Sequence, residues 1–108
     1  MRELGEWYHR NYQRADAELN KLYRQLTERL ADPSERELLQ QAEQAWAHYR
    51  DIQCAFETAG ARAVPIHPVV VSTCLWEKTR AHIEDLQHQL NCPDGDPTCI
   101  HHKKEGGG

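Results

Sequence analysis

Apolar residues recur at steps of four and three along most of this chain, in three stretches separated by breaks. The first runs Tyr8, Tyr12, Ala15, Leu19, Leu22, Leu26 and Leu30, one stripe on a helix of about seven turns. Asp32-Pro33-Ser34 ends it, because proline cannot continue the backbone ladder and biases its predecessor away from helix. Ser34 is expected to N-cap a second helix, with Glu37 at the capping-box position. Leu38, Ala42, Ala45, Tyr49, Ile52 and Phe56 then repeat the spacing, Leu39 and Trp46 widen the stripe, and Gly60 is the expected C-cap. A loop over 59–68, pinned by Pro65 and Pro68, leads to a third helix from Pro68 to Leu90 on Val71, Leu75, Thr79, Ile83, Leu86 and Leu90. Val69-Val70-Val71 alone could start a strand, but the run is short and a sheet would lack partners.

Three helices of similar length on short loops specify an all-α, antiparallel three-helix bundle over residues 1–91. Residues 92–99 read as turns closed by a small disulfide, and Ile100 to Gly108 as a flexible polar tail. With 108 residues there is room for one core and no second one. Seventeen acidic against thirteen basic residues give a net charge of −4, which offers no footprint for nucleic acid and suits a cationic partner. No run of apolar residues is long enough to span a membrane.

Cysteine usage bears on compartment. Four cysteines in a short chain point to two disulfides with three possible connectivities, of which Cys54–Cys74 with Cys92–Cys99 is the favoured one. The first would close a loop of about twenty residues, worth roughly 3 kcal/mol. Disulfides persist in oxidising compartments, so the periplasm or cell exterior is expected. Met1-Arg2-Glu3 lacks the layout of a signal peptide, which leaves a cytosolic protein with reduced thiols or one whose leader has been removed; the cysteines favour the latter.

One block stands out: Trp46-Ala47-His48-Tyr49-Arg50-Asp51-Ile52-Gln53-Cys54. It is preceded by Asp16-Ala17-Glu18-Leu19-Asn20-Lys21-Leu22-Tyr23 and followed by Cys74-Leu75 with Thr79. In this order the blocks resemble the lysozyme inhibitor LprI-like N-terminal domain family, over roughly residues 12 to 90. The resemblance implies a small helical envelope domain, in some members associated with lysozyme inhibition. There are departures. Cysteines that the family places before the first block are absent, and Cys92 and Cys99 appear instead. A glycine-rich turn is replaced by Ala61-Arg62-Ala63-Val64-Pro65, and His82 stands where the family tends to have arginine.

Asp16, Asn20, Tyr23, Trp46, Tyr49, Arg50, Asp51 and Thr79 are read as structural motif residues. Polar groups facing a bundle core must be hydrogen-bonded, and Arg50 has donors enough for Asp16 or Asp51, so it is expected to fix how the first helix docks on the second. Candidate partner-contacting residues are Arg62, His67, Trp76 and His82. Trp76 falls off the main stripe, where a tryptophan is either a half-buried edge or an interface anchor. Cys92, Cys99, His101 and His102 lack zinc spacing, and Asp94-Gly95-Asp96 lacks the later ligands of a calcium loop, so no metal or other cofactor is expected. Nucleophile elbows, phosphate loops and paired catalytic carboxylates are missing, and the chain reads as no enzyme.

The expectation is a periplasmic or secreted protein that inhibits a lysozyme or other peptidoglycan hydrolase by occluding its groove. Alternatives are an immunity protein against a secreted wall-degrading toxin, a histidine-rich envelope metal-binding module, and a purely structural accessory domain.

Overall fold

A computed structural model describes residues 2–92, 96, 97 and 99. The chain forms three helices, α1 (Arg2–Arg29), α2 (Pro33–Glu57) and α3 (His67–Leu90), with a single 3₁₀ turn over Ala59–Ala61 between the last two. The expected bundle is the observed one. The helices make a rod of 57 × 22 × 20 Å. α1 and α3 run in the same direction side by side: Gly5 abuts Val69 at one end, and Arg29 Nη1 donates to the Leu90 carbonyl at 2.8 Å at the other. α2 returns between those ends.

The core follows the α1 stripe. Ala15, Leu19, Leu22, Leu26 and Leu30 are all buried, and Leu19, Leu22, Tyr23 and Leu26 meet Leu86 and Leu90 of α3. Steps of three and four hold these side chains on one helix face, which excludes water along the seam. Leu39, Trp46 and Ile83 pack against this cluster from the side.

Elsewhere the stripe drawn from hydropathy is not the face that is buried. On α2, Leu38 is 65% exposed, Tyr49 57%, Ile52 55% and Phe56 74%, and Ala42 and Ala45 are exposed too. The buried residues of that helix are Arg50 and Cys54, with Leu39, Glu43 and Trp46 partly covered. At the start of α3, Val69 and Ser72 are buried, whereas Val71 and Leu75 are intermediate.

The helix ends also differ from expectation. α1 begins at Arg2, well before Tyr8. Asp32, and not Ser34, caps α2: its backbone is extended, and its carboxylate accepts from the Ser34 amide at 2.9 Å and the Ser34 hydroxyl at 2.8 Å. Proline fits the first helical position, where no amide hydrogen is needed, so Pro33 sets the start and pushes Ser34 inside. These bonds from Ser34 hold the Asp32 carboxyl below its ordinary value. At the other end Thr58 closes α2, its hydroxyl donating to the Cys54 carbonyl at 2.7 Å, and Gly60 lies in the 3₁₀ turn beyond.

Two disulfides are present among the described residues. Cys54–Cys74 joins α2 to α3, and Cys92–Cys99 closes the segment after α3. The expected turn through Asp94-Gly95 and the tail from Ile100 to Gly108, with His101 and His102, lie outside the described residues.

Candidate functional site

Two places concentrate polar chemistry. The first is a ladder across the middle of the rod. Arg50, 6% exposed, donates from Nη1 to Asp16 at 3.2 Å and from Nε to Asp51 at 3.0 Å, so both candidate carboxylates are engaged at once. Its guanidinium lies over the rings of Tyr12, at 5.3 Å, and Trp46, at 5.1 Å. Trp46 in turn stacks on His82 with centroids 4.1 Å apart and planes 9° from parallel. His82 Nε2 is 2.8 Å from the Tyr23 hydroxyl, and Nδ1 is 3.9 Å from Asp85.

Burial decides the protonation states here. It lowers the His82 pKa, an effect that Asp85 opposes and Arg50 reinforces. It also raises Tyr23 and Tyr12 above the usual phenol value. A neutral His82 and a protonated Tyr23 therefore share one hydrogen bond between Nε2 and the hydroxyl. Burial opposes the charge on Arg50, but its bonds to Asp51 and Asp16 and its attraction to Tyr12 and Asp51 raise its pKa overall. Glu43, at the edge of the ladder, is raised by burial and by Asp16. The network satisfies donors and ties α1, α2 and α3 together. Asn20 stands outside it, exposed, on a shallow surface dip with Tyr23, Arg24 and Glu43. Thr79 is completely buried, and its hydroxyl has no hydrogen-bond partner among the described residues.

The second place is the tip of the rod where α2 hands over to α3. Asp51, Cys54, Thr58, Arg62, His67 and Leu75 border an open groove of about 330 Å³. The groove brings Arg62 and His67 together, behind which the Cys54–Cys74 bridge fixes the two helices. Arg62 is exposed, and its Nε donates to the Ala59 carbonyl at 3.2 Å. His67 opens α3, next to Pro68. Lys78 bonds Glu57 at 2.8 Å on the flank, drawing the Glu57 carboxyl down and the Lys78 ammonium up.

The remaining candidates lie apart from this groove. Trp76 meets Trp7 and Tyr8 edge-on, at 5.7 and 5.8 Å, on the α1–α3 seam, with Arg80 over its ring. Trp7, 47% exposed, is the member of that group facing solvent most. His82 is committed to the interior ladder. Sequence reasoning missed two features. One is the aromatic cluster itself, since Trp7 precedes the stripe; the other is the bare outer face of α2, taken above for core.

A third cluster has ligand-type atoms. His88 Nε2 approaches Cys99 Sγ at 3.5 Å and Cys92 Sγ at 3.8 Å. The two sulfurs are bonded to each other, and metal ligation needs thiolates. The oxidised cluster is therefore closed to a metal. No helix among the described residues is long and apolar enough to cross a membrane.

Comparison with known proteins adds a lineage. An uncharacterised protein of Rhizobium meliloti (strain 1021) is 38% identical over 92 residues, covering 74% of this chain and 66% of that relative's length. The chain thus spans slightly less than two thirds of the relative it matches. No solved structure matches. The family model described as "Lysozyme inhibitor LprI" matches residues 1–86, which include all three helices except the last turn of α3, and the chain belongs to that family.

Proposed function

We propose that this protein acts in the periplasm or outside the cell and blocks a lysozyme or another peptidoglycan hydrolase. In this reading the α2–α3 tip enters the enzyme's substrate groove. Such grooves carry acidic catalytic groups, so an inserted element gains from a cation held at fixed geometry. Arg62 meets that requirement: an exposed guanidinium on a short turn between two helices that a disulfide clamps together. This is the observation that carries the proposal, together with membership of an inhibitor family. A turn already rigid before contact loses little freedom on binding, which favours affinity. The narrow rod, about 20 Å across, places the tip where a cleft can admit it. His67 sits beside Arg62 as a second donor; Trp76 and His82, turned toward the bundle, support the scaffold.

The test is inhibition of a panel of lysozymes and peptidoglycan amidases by the purified, oxidised protein. Arg62→Ala should weaken inhibition by about tenfold or more, the effect of a central charged contact, with helical content unchanged. Full inhibition by that variant would remove the tip from the mechanism. Failure to inhibit any hydrolase in the panel would remove the function.

A further inference from the structure

The outer face of α2 carries Leu38, Ala42, Ala45, Tyr49, Ile52 and Phe56, every one of them exposed. Their spacing of four, three, four, three and four is the seam of a two-stranded coiled coil, presented to solvent without a partner helix among the described residues. We propose that this seam pairs with the same seam of a second copy, the two α2 helices running antiparallel.

Size decides the orientation. In a parallel pair each residue meets itself, so Ala42 and Ala45 would leave a hollow while Tyr49, Ile52 and Phe56 crowd the other half. In an antiparallel pair centred near residue 47, Leu38 faces Phe56, Ala42 faces Ile52 and Ala45 faces Tyr49. Each small side chain then meets a large one, so volume is spread more evenly along the seam than in the parallel pair, as close packing favours. The helix dipoles also oppose each other in this arrangement. Charge is arranged to permit it: the outer flank of the seam is Gln41, His48 and Ala55, with no carboxylate or ammonium, and on the other flank the Lys78 ammonium near Tyr49 is neutralised by Glu57. The area is adequate. Two aromatic and two large aliphatic residues, each more than half exposed, with their flanks, offer on the order of 600 Å² per copy, so a pair would bury more than about 1,000 Å². Residues 100–108 suit the seam poorly, since they contain one large apolar residue, Ile100. Antiparallel pairing leaves the two Arg62 tips at opposite ends of the assembly.

Sedimentation equilibrium of the full oxidised chain over the micromolar range should give twice the chain mass. Ile52→Glu should raise the dimer dissociation constant by about thirtyfold or more, and Phe56→Glu likewise, with far-ultraviolet circular dichroism unchanged because neither side chain is in the core. Spin labels on His48→Cys and Ala55→Cys report the register: the two labels at 48 should be adjacent, and those at 55 about 20 Å further apart. A monomer throughout the range overturns the proposal, as does a dimer indifferent to both glutamates. Equal separations at the two labels would overturn the antiparallel arrangement. A monomer whose Ile52→Glu form alone stops inhibiting a hydrolase would assign the seam to that enzyme instead. Dimerisation is read without any hydrolase, so its outcome is independent of the inhibitory function.

Discussion

α1 and α3 are held together chiefly by one kind of force, and α2 is held to them chiefly by another. The α1–α3 seam is a row of buried leucines, with Leu19, Leu22 and Leu26 against Leu86 and Leu90. α2 buries little of this kind. It is held by a disulfide at Cys54, the Lys78–Glu57 ion pair, the Arg50 ladder and the edges of Leu39 and Trp46. Burial of apolar surface is non-directional and leaves freedom in how side chains fill a space. Hydrogen bonds, ring stacks and a covalent bridge fix position. The apolar seam thus supplies the cohesion of the rod, and the α2 contacts supply the registry of the tip that α2 and α3 jointly form. A buried ion pair adds little net stability against an apolar alternative, but it discriminates between arrangements; that is the service Arg50 performs between Asp16 and Asp51.

The sharpest way to break this comparison is to cut into each half separately. Leu26 is 1% exposed at the middle of the seam. Leu26→Ala should destabilise the protein by roughly 3–5 kcal/mol, transfer and cavity terms together. That is a large part of the total for a domain of this size. Urea denaturation should show one transition at lower midpoint, with all three helices lost at once. A variant that kept α1 and α3 paired while losing only α2 would contradict the assignment of cohesion to the seam.

The contrast between the two halves also explains what could be read from the sequence. α1 was legible because its most apolar stripe is the buried one, and Ala15 through Leu30 fall on it without exception. α2 was misread for the same rule applied in the wrong place. Its strongest stripe faces outward, and its inward face is built from Arg50, Glu43, Trp46 and Cys54, residues that hydropathy scores as polar or ambiguous. The Trp46 to Cys54 block signalled Arg50 and Cys54 through residue chemistry, periodicity placed Trp46 beside Leu39, and nothing signalled Glu43. At the start of α3 the core side rotates to Val69 and Ser72 because the helix there meets α1 near Gly5, while Val71 and Leu75 face the groove beside α2. Arg62 and His67 both read as residues of the loop over 59–68, Arg62 ahead of Pro65 and His67 between Pro65 and Pro68, whereas His67 is in fact the first residue of α3. Trp76 and His82 read as candidate partner contacts, but a residue one step off a stripe can turn either way, and their neighbours, Trp7 and Tyr8 in one case and Trp46 and Tyr23 in the other, turn them to the bundle.

Removing the staple tests the other half. With Cys54 and Cys74 both replaced by alanine, the unfolded chain regains the freedom of a loop of about twenty residues, a loss of about 3 kcal/mol. The loss should be uneven in space. Hydrogen exchange followed by mass spectrometry should show α2 amides opening first, from the Thr58 end, while α1 and α3 keep their protection. Inhibition of a hydrolase should weaken together with α2 protection, because the tip loses its fixed base. Equal loss of protection in all three helices would mean that α2 is as firmly seated as the others without its bridge.

The smallest effect concerns pH and isolates the ladder from the staple. Burial lowers the His82 pKa from its ordinary value of 6.5. The unfolded chain therefore binds a proton at that position at higher pH than the folded one does. Stability from this group is complete above about pH 6.5 and is lost as pH falls from there through the lower folded-state value. The physical event is direct: the charge of a protonated His82 sits in the same array as the Arg50 guanidinium, which already opposes it. Thermal midpoints measured between neutral pH and pH 5 should fall, and His82→Gln should remove the part of the slope that this residue causes, at the cost of a lower midpoint at neutral pH. If the variant's profile runs parallel to that of the parent protein, His82 titrates alike in both states, and α2 is registered by Arg50 and the disulfide without help from the Trp46–His82 stack.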